Sequence, residues 1–205
     1  MRSPLKHPEV NGVRELSAEE IDRLYAGFPR DKKYDIILAD PPYRYENNNA
    51  TGAAAHHYPV LTMNQLGHLP LARIANKNCI LCLWTTGPHM QHSCDLISQW
   101  GFKYRTVLSV WIKRSQNGNV SVGLGSYTRS CAEFILVAVR GSPPIRKWRA
   151  SKTVSQLIAA KRGKHSVKPK AAFKAMEKLF ARSLKKIELF ARSPRKGWDA
   201  WGNEV

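Results

Sequence analysis

A chain of 205 residues, 43% of them hydrophobic, is the size of one domain with a true core, and no apolar run approaches the roughly 18 residues of a membrane helix. Lys and Arg number 33 against 15 acids, a net charge of +18. This makes a polyanion the expected partner and a membrane surface the weaker one, since no basic amphipathic helix with Trp or Leu anchors stands alone.

The charge is uneven. Residues 1–145 hold 16 basic and 11 acidic residues, and residues 146–205 hold 17 and 4. A merely solvated basic face is the bland alternative. Four cysteines without a framework pattern, and no apolar signal core at the N-terminus, predict a reducing, cytoplasmic compartment, or the nucleus of a eukaryotic cell.

Residues 1–33 are a polar segment. Ser17-Ala18-Glu19-Glu20 resembles a capping box, with a short helix to about Tyr25 that Gly27 would end. Tyr34-Asp35-Ile36-Ile37-Leu38 then reads as a buried strand, and Asp40-Pro41-Pro42-Tyr43 must end it. Two prolines give no N–H to a ladder and fix φ near −65°. An acid, a stiff turn with free carbonyls and an aromatic ring thus lie beyond a strand's carboxyl end, where open α/β sheets bind ligands.

The exocyclic amine of adenine is a poor nucleophile because its lone pair is delocalised into the ring. Asp40 and the Pro41 carbonyl could accept its two N–H groups and localise that pair, while Tyr43 stacks on a base taken out of a helix. A strand-to-turn junction with a capping acid is the structural alternative.

Residues 44–59 form a loop too long for a simple connection, read as an active-site lid that carries Tyr45 as a nucleic-acid contact. His56-His57 within it lacks further ligands at metal spacing, so no metal is expected. Thr62 and Gln65 fit a capping box for a helix over about 62–75, burying Leu66, Leu69 and Ile74. Residues 79–84 are a strand whose Cys79 and Cys82 read as core rather than redox or zinc residues. Pro88 opens a helix that ends near Trp100, with Gly101 after it.

Residues 103–112 form a strand and residues 113–130 a second long loop. Its Lys113, Arg114, Tyr127 and Arg129 suit phosphate and base contacts. Residues 133–139 are a central strand covered on both faces. An irregular basic segment, 142–152, and a short strand, about 153–159, follow. From Pro169 to about Arg182 a helix buries Phe173, Met176 and Phe180 and lines up Lys170, Lys174 and Lys178, a solvated face or a track for a phosphate backbone. Residues 186–191 are the last predicted strand.

Asp40-Pro41-Pro42-Tyr43 looks like the catalytic motif of amino-methyltransferases that use S-adenosylmethionine. The match continues through Tyr58-Pro59, Leu83-Trp84-Thr85-Thr86-Gly87, Trp100-Gly101-Phe102, Val110-Trp111-Ile112-Lys113, Val139-Arg140-Gly141, His165-Ser166-Val167-Lys168-Pro169, Glu188-Leu189-Phe190-Ala191-Arg192 and residues 197–204. In this order and spacing residues 34–205 resemble one methyltransferase domain of the family of the 70-kDa subunit of the mRNA N6-adenosine methyltransferase, including its short bacterial and phage relatives.

The resemblance implies an α/β, Rossmann-like methyltransferase sheet with helices on both faces. It is circularly permuted: the catalytic motif comes first, the cofactor strand last, and no G-x-G-x-x-G fingerprint appears. It implies S-adenosylmethionine as cofactor, with Asp40 in the site, Lys168 on the cofactor's carboxylate, Phe190 and Arg192 bordering it, and Asn203 and Glu204 near the terminus. It also implies that the second loop closes over the target nucleotide and that a homodimer, or a heterodimer with a related subunit, forms.

Four departures stand out: Tyr43 where most relatives carry Trp, Lys170 where an acid is common, Ser193-Pro194-Arg195 where some relatives carry His-Asn, and Glu204 where some carry an amide. The third, with its shorter spacing to Trp198, leaves the ribose contacts open. The expected activity is methylation of adenine N6 in nucleic acid, DNA before RNA. The alternatives are a non-catalytic nucleic-acid-binding subunit and an amino-methyltransferase with another acceptor, cytosine N4 or a protein glutamine.

Overall fold

Residues 34–39 are apolar at every position but Asp35, and they form strand β1 (Tyr34–Ala39). The other strands are β2 (Ala75–Thr85), β3 (Lys103–Arg114), β4 (Ala132–Arg140), β5 (Leu157–Lys161), β6 (Lys186–Leu189) and β7 (Asp199–Trp201). The computed structural model describes residues 19, 23, 25–43, 61–125, 127–163, 167–202 and 204–205. It joins the strands in one sheet of order β5-β3-β4-β2-β1-β6-β7. Every pairing is parallel except those of β4 with β2 and β3. β4 alone is therefore reversed, and its amino end shares one rim with the carboxyl ends of the other strands.

The sheet is covered on both faces, which is why its strands read as apolar runs rather than alternating ones. On one face Ile37, Ala39, Leu81, Leu83 and Leu189 pack against α1 (Met63–Gly67), α2 (Leu71–Ile74) and α3 (Met90–Gln99), through Leu66, Ile74, Leu96 and Trp100. On the other, Ile36, Leu38, Ile80, Cys82 and Trp84 meet Ala172, Phe173 and Met176 of α5 (Lys170–Leu179), with Trp148 of the short α4 (Ile145–Trp148) at the margin. Each buried Leu or Ile contributes about 1.5–3 kcal/mol, so these two layers dominate stability. Asp35 is the one polar member of β1: its carboxylate accepts from Asn76 Nδ2 at 2.7 Å and from the Lys185 N–H at 2.9 Å, tying β1 to β2 and β6.

Several boundaries differ from the sequence reading, each for a local reason. The capping box at Thr62 and Gln65 forms, but Pro70 splits the expected helix into α1 and a single turn, α2. β2 starts at Ala75, its first residues disguised by the polar Asn76-Lys77-Asn78. β3 runs on to Arg114 because the Lys113 N–H bonds the Cys131 carbonyl and Arg114 pairs with Lys161. β5 starts at Leu157, since the Ser151 and Ser155 side chains take the N–H groups of Thr153 and Leu157 and turn the chain first. α5 ends at Leu179, where Phe180 turns extended, buries its ring and bridges to Arg149. Three residues, Asp199–Trp201, add an edge strand beyond the one expected to be last. Gly101 follows α3 in the left-handed region, φ 77°, as a helix-ending glycine does.

Cys79 and Cys82 lie in the two different core clusters, on opposite faces of β2, so they cannot bridge each other or share a metal. Burial pushes both thiols up to about 12. Among the described residues no helix is long and apolar enough to cross a membrane.

Candidate active site

The chain leaves β1 at Asp40 and turns at once. The turn is closed by its own backbone: the Tyr43 N–H donates to the Pro41 carbonyl at 2.9 Å, and the Leu61 N–H donates to the Pro42 carbonyl at 3.0 Å. The carbonyls expected to be free thus each have one partner, and each keeps a second lone pair. Tyr43 is buried. Its hydroxyl lies 3.1 Å from the Trp84 carbonyl oxygen and 2.9 Å from Ser93 Oγ. Its ring stacks on His89, centroids 4.8 Å apart and 19° from parallel. The ring expected to lie against a target base has one face on a histidine, and the side chain anchors the Pro-Pro turn to β2 and α3.

Asp40 begins a row of alternating charge. Lys168 Nζ lies 3.0 Å from Asp40 Oδ1 and 3.1 Å from Glu133 Oε2, the latter an ion-pair contact without hydrogen-bond geometry. Lys113 Nζ closes the row, 2.7 Å from Glu133 Oε1. The ladder explains the last pair. Glu133 is opposite Trp111, and Lys113 is two residues on, on the same face and diagonal to Glu133. The two ammonium groups also lie over indoles, Lys113 5.5 Å from the Trp111 centroid and Lys168 5.2 Å from that of Trp84.

The central members are nearly dry: the Lys168 and Glu133 side chains are 12% and 11% exposed. Burial pushes the Asp40 carboxyl above the ordinary carboxylate range, against the pull of Lys168. Burial also favours protonation of Glu133, but Lys168 and Lys113 outweigh it and hold that carboxyl below the ordinary range. Burial alone would lower Lys168; Asp40 and Glu133 instead hold it above the ordinary lysine range.

The end of β6 borders this row. Phe190 has φ 60°, a left-handed conformation that costs a non-glycine residue about 1–2 kcal/mol. Gly202 makes the turn possible from the other side: a Cβ there would lie 2.5 Å from the Ala191 carbonyl oxygen and 2.9 Å from the Phe190 carbonyl carbon. The Phe190 ring meets Trp201 edge-on, centroids 5.4 Å apart. Arg192 pairs with Glu204 at 3.5 Å, and its charge reaches Asp40. Below, Glu188 is paired with Arg195 at 3.2 Å, whose guanidinium lies 3.5 Å over Phe173.

Of the residues singled out in the sequence, Asp40, Pro41, Pro42, Tyr43, Lys168, Phe190 and Arg192 gather on this rim. Lys113 belongs to β3 rather than to the loop, with its ammonium turned onto Glu133. Arg114, also on β3, donates through Nη1 to the Gly118 carbonyl. Tyr127 and Arg129 are exposed on the loop, and Lys170, Lys174 and Lys178 are exposed along α5. Tyr45, Asn203 and the region of the expected lid and of His56-His57 lie outside the described residues. Glu133 is the site residue that the sequence reading missed. Its one signal was an acid at the edge of an otherwise apolar run. Among the described residues no three or more His, Cys, Asp and Glu side chains come together as a metal site would need.

A family model described as MT-A70 matches residues 34–204. The type II methyltransferase M.MunI of Mycoplasma sp. is 39% identical over 203 residues, 90% of this chain and 83% of its own length. The N6-methyladenosine RNA methyltransferase MTA1 of Cryphonectria parasitica is 29% identical over 206 residues, 92% of this chain and 55% of its own. The human N(6)-adenine-specific methyltransferase METTL4 is 25% identical over 192 residues, 85% of this chain and 38% of its own. The match spans the whole sheet, from the first residue of β1 to beyond β7, and the chain belongs to the MT-A70 family, a family of adenine-N6 methyltransferases.

Proposed function

We propose that the protein transfers a methyl group from S-adenosylmethionine to N6 of adenine in DNA. The observation that carries this is the half-buried, ionisable Asp40 beside the rigid Pro41 carbonyl, at the rim where β1 ends and against Lys168. Asp40 accepts one N–H of the amine and the second lone pair of the Pro41 carbonyl accepts the other, so the nitrogen lone pair leaves the ring and points along one line. Asp40 then takes the proton that the amine gives up as its new N–C bond forms. A carboxyl pushed above its ordinary range is the better acceptor for that proton. Tyr43 holds the turn in place, and the row Lys168, Glu133, Lys113 holds Asp40.

The residues at the end of β6 suit the cofactor. The left-handed turn at Phe190 and the missing Cβ of Gly202 make a close backbone cradle, and the cationic Lys168 and Arg192 flank it. Lys168 and Arg192 would hold its carboxylate and Phe190 its adenosine. When bound, S-adenosylmethionine supplies an electrophilic methyl group. On this reading the acceptor turn on the first strand and the cofactor cradle on the sixth make a permuted methyltransferase order.

Gly202→Ala is expected to force the backbone of Ala191 and Phe190 apart, with a cost of about 1–3 kcal/mol and loss of cofactor binding. Calorimetric titration with S-adenosylmethionine reads it; wild-type affinity in the variant would move the cradle elsewhere.

DNA is favoured over RNA because M.MunI, a type II methyltransferase, is matched over most of both chains, whereas the RNA methyltransferase is matched over about half of its own length. The four cysteines are free, in keeping with the cytoplasm. The test is transfer of labelled methyl to single- and double-stranded DNA and RNA. Label on adenine N6 of DNA supports the proposal and label on RNA alone overturns the choice of DNA. No label on any acceptor, from protein that binds the cofactor, overturns the catalytic reading in favour of a binding subunit.

The pH profile offers a second test. Because Asp40 must be ionised to accept, kcat/KM is expected to fall on the acid side at a pH above the ordinary carboxylate value of about 4. The stability signs oppose each other. Asp40, raised on folding, costs stability at neutral pH, and that cost fades as pH drops through its raised value. Glu133, lowered on folding, contributes stability that is present above its ordinary value and lost as pH falls through the lowered one. An acid limb at or below the ordinary value would remove Asp40 from the rate-limiting step.

A further inference from the structure

The ribbon between β3 and β4 carries an uncharged tip. From Ser115 to Thr128 there is no charged residue, in a chain of net charge +18, and the stretch is flanked by Arg114 and Arg129. The ribbon is built rather than slack. The Ser115 N–H donates to the Asn119 carbonyl at 2.8 Å, the Ser121 N–H to the Lys113 carbonyl at 2.8 Å, and the Gly123 N–H to the Ser130 carbonyl at 2.7 Å. The first two bonds close a turn over residues 115–119 that returns the chain to Lys113, and in the excursion that follows a Cβ on Gly125 would lie 2.1 Å from the Thr128 carbonyl oxygen. Beside this close approach Leu124 and Tyr127 are 84% and 101% exposed. Its position is fixed too. β3 and β1 run the same way, so the ribbon rises from the rim that holds Asp40, and its root residue Lys113 is tied to Asp40 through Glu133 and Lys168.

Adenine N6 inside a duplex is out of reach of any side chain on the rim, so the nucleotide must be extruded and its gap held open. Apolar side chains inserted between base steps do this elsewhere, set between cations that grip the phosphates. We propose that Leu124 and Tyr127 form such a wedge, inserted into the stack of double-stranded DNA beside the target adenine while Arg114 and Arg129 flank it. The inference rests on the reading of the protein as a DNA adenine methyltransferase and adds the duplex as its substrate. A narrow tip with two large side chains offers far less than the roughly 800 Å² per partner of a protein interface, and the surrounding charge suits a polyanion.

Permanganate oxidises thymines that have lost their stacking, so it finds an extruded adenine's partner whatever the target sequence is. With linear duplex DNA and S-adenosylmethionine, the wild-type protein is expected to raise reactivity at discrete thymines. The Leu124→Ala/Tyr127→Ala double variant should lose that enhancement by about fivefold or more, while Tyr127→Phe, which keeps the ring, retains it. Filter binding should differ by less than about threefold between variant and wild type, since phosphate contacts remain. Methyl transfer, read in parallel, separates the two proposals. Transfer to duplex DNA without thymine exposure, or with equal exposure in the double variant, overturns the wedge and leaves the activity standing. Exposure lost in the variant without any transfer upholds the wedge and overturns the activity. A wild-type dimer that the double variant turns into a monomer by sedimentation overturns the wedge in favour of a contact between copies of this chain.

Discussion

Asp40→Ala is expected to abolish methyl transfer, lowering kcat by roughly three orders of magnitude or more, while cofactor binding and the folded state persist. The size follows from the two tasks joined in one group, accepting an N–H before transfer and taking the proton afterwards. The fold should survive because ionised Asp40 is held against its burial, and Lys168 keeps Glu133 as a partner when Asp40 is gone. The stability change should stay within about 1 kcal/mol. Asp40→Asn sharpens the test, since it keeps the shape and one acceptor oxygen but cannot take a proton. Turnover within tenfold of wild type in Asn, with loss in Ala, would reduce Asp40 to an acceptor alone; turnover in both would end the lone-pair mechanism.

Lys168→Met is expected to cost about 3 kcal/mol of folding stability, because it leaves Asp40 and Glu133 facing each other in a largely buried site, with only Lys113 beside Glu133 and the more distant Arg192 to offset them. The double variant Lys168→Met/Glu133→Gln should recover most of that loss, since Asp40 can then meet its burial by taking up a proton. Urea unfolding with a two-state fit measures both. A single variant as stable as wild type would mean that the row is solvated and carries no energy; a double variant as weak as the single would mean that the loss comes from packing against Trp84 rather than from charge.

The sequence made the rim legible where covalent constraints act locally. Two consecutive prolines end β1 whatever surrounds them, Thr62 and Gln65 cap the next helix reciprocally, and Pro169 starts α5 beside Lys168. The site was opaque where partners come from distant strands. Glu133 meets a lysine 20 residues before it and another 35 residues after it, and no spacing rule on one strand announces either. Tyr43 could be read as an aromatic beside the acid, but nothing local said that His89, half a sheet away in sequence, would take one of its faces. The left-handed Phe190 likewise depends on Gly202, twelve residues on and across β7.

The Asp35 buckle sets the order in which the enzyme can become active. β1 emerges from the ribosome before its partners, and its Asp35 carboxylate waits for a backbone N–H at Lys185, 150 residues later in the chain. β6, which closes the open side of β1, follows at once. Such long-range pairing folds slowly, because the loop must close before any contact rewards it. Asp40 is therefore made well before β6 and Lys185, which mount its strand, and a partly synthesised chain has no assembled rim with which to act on nucleic acid.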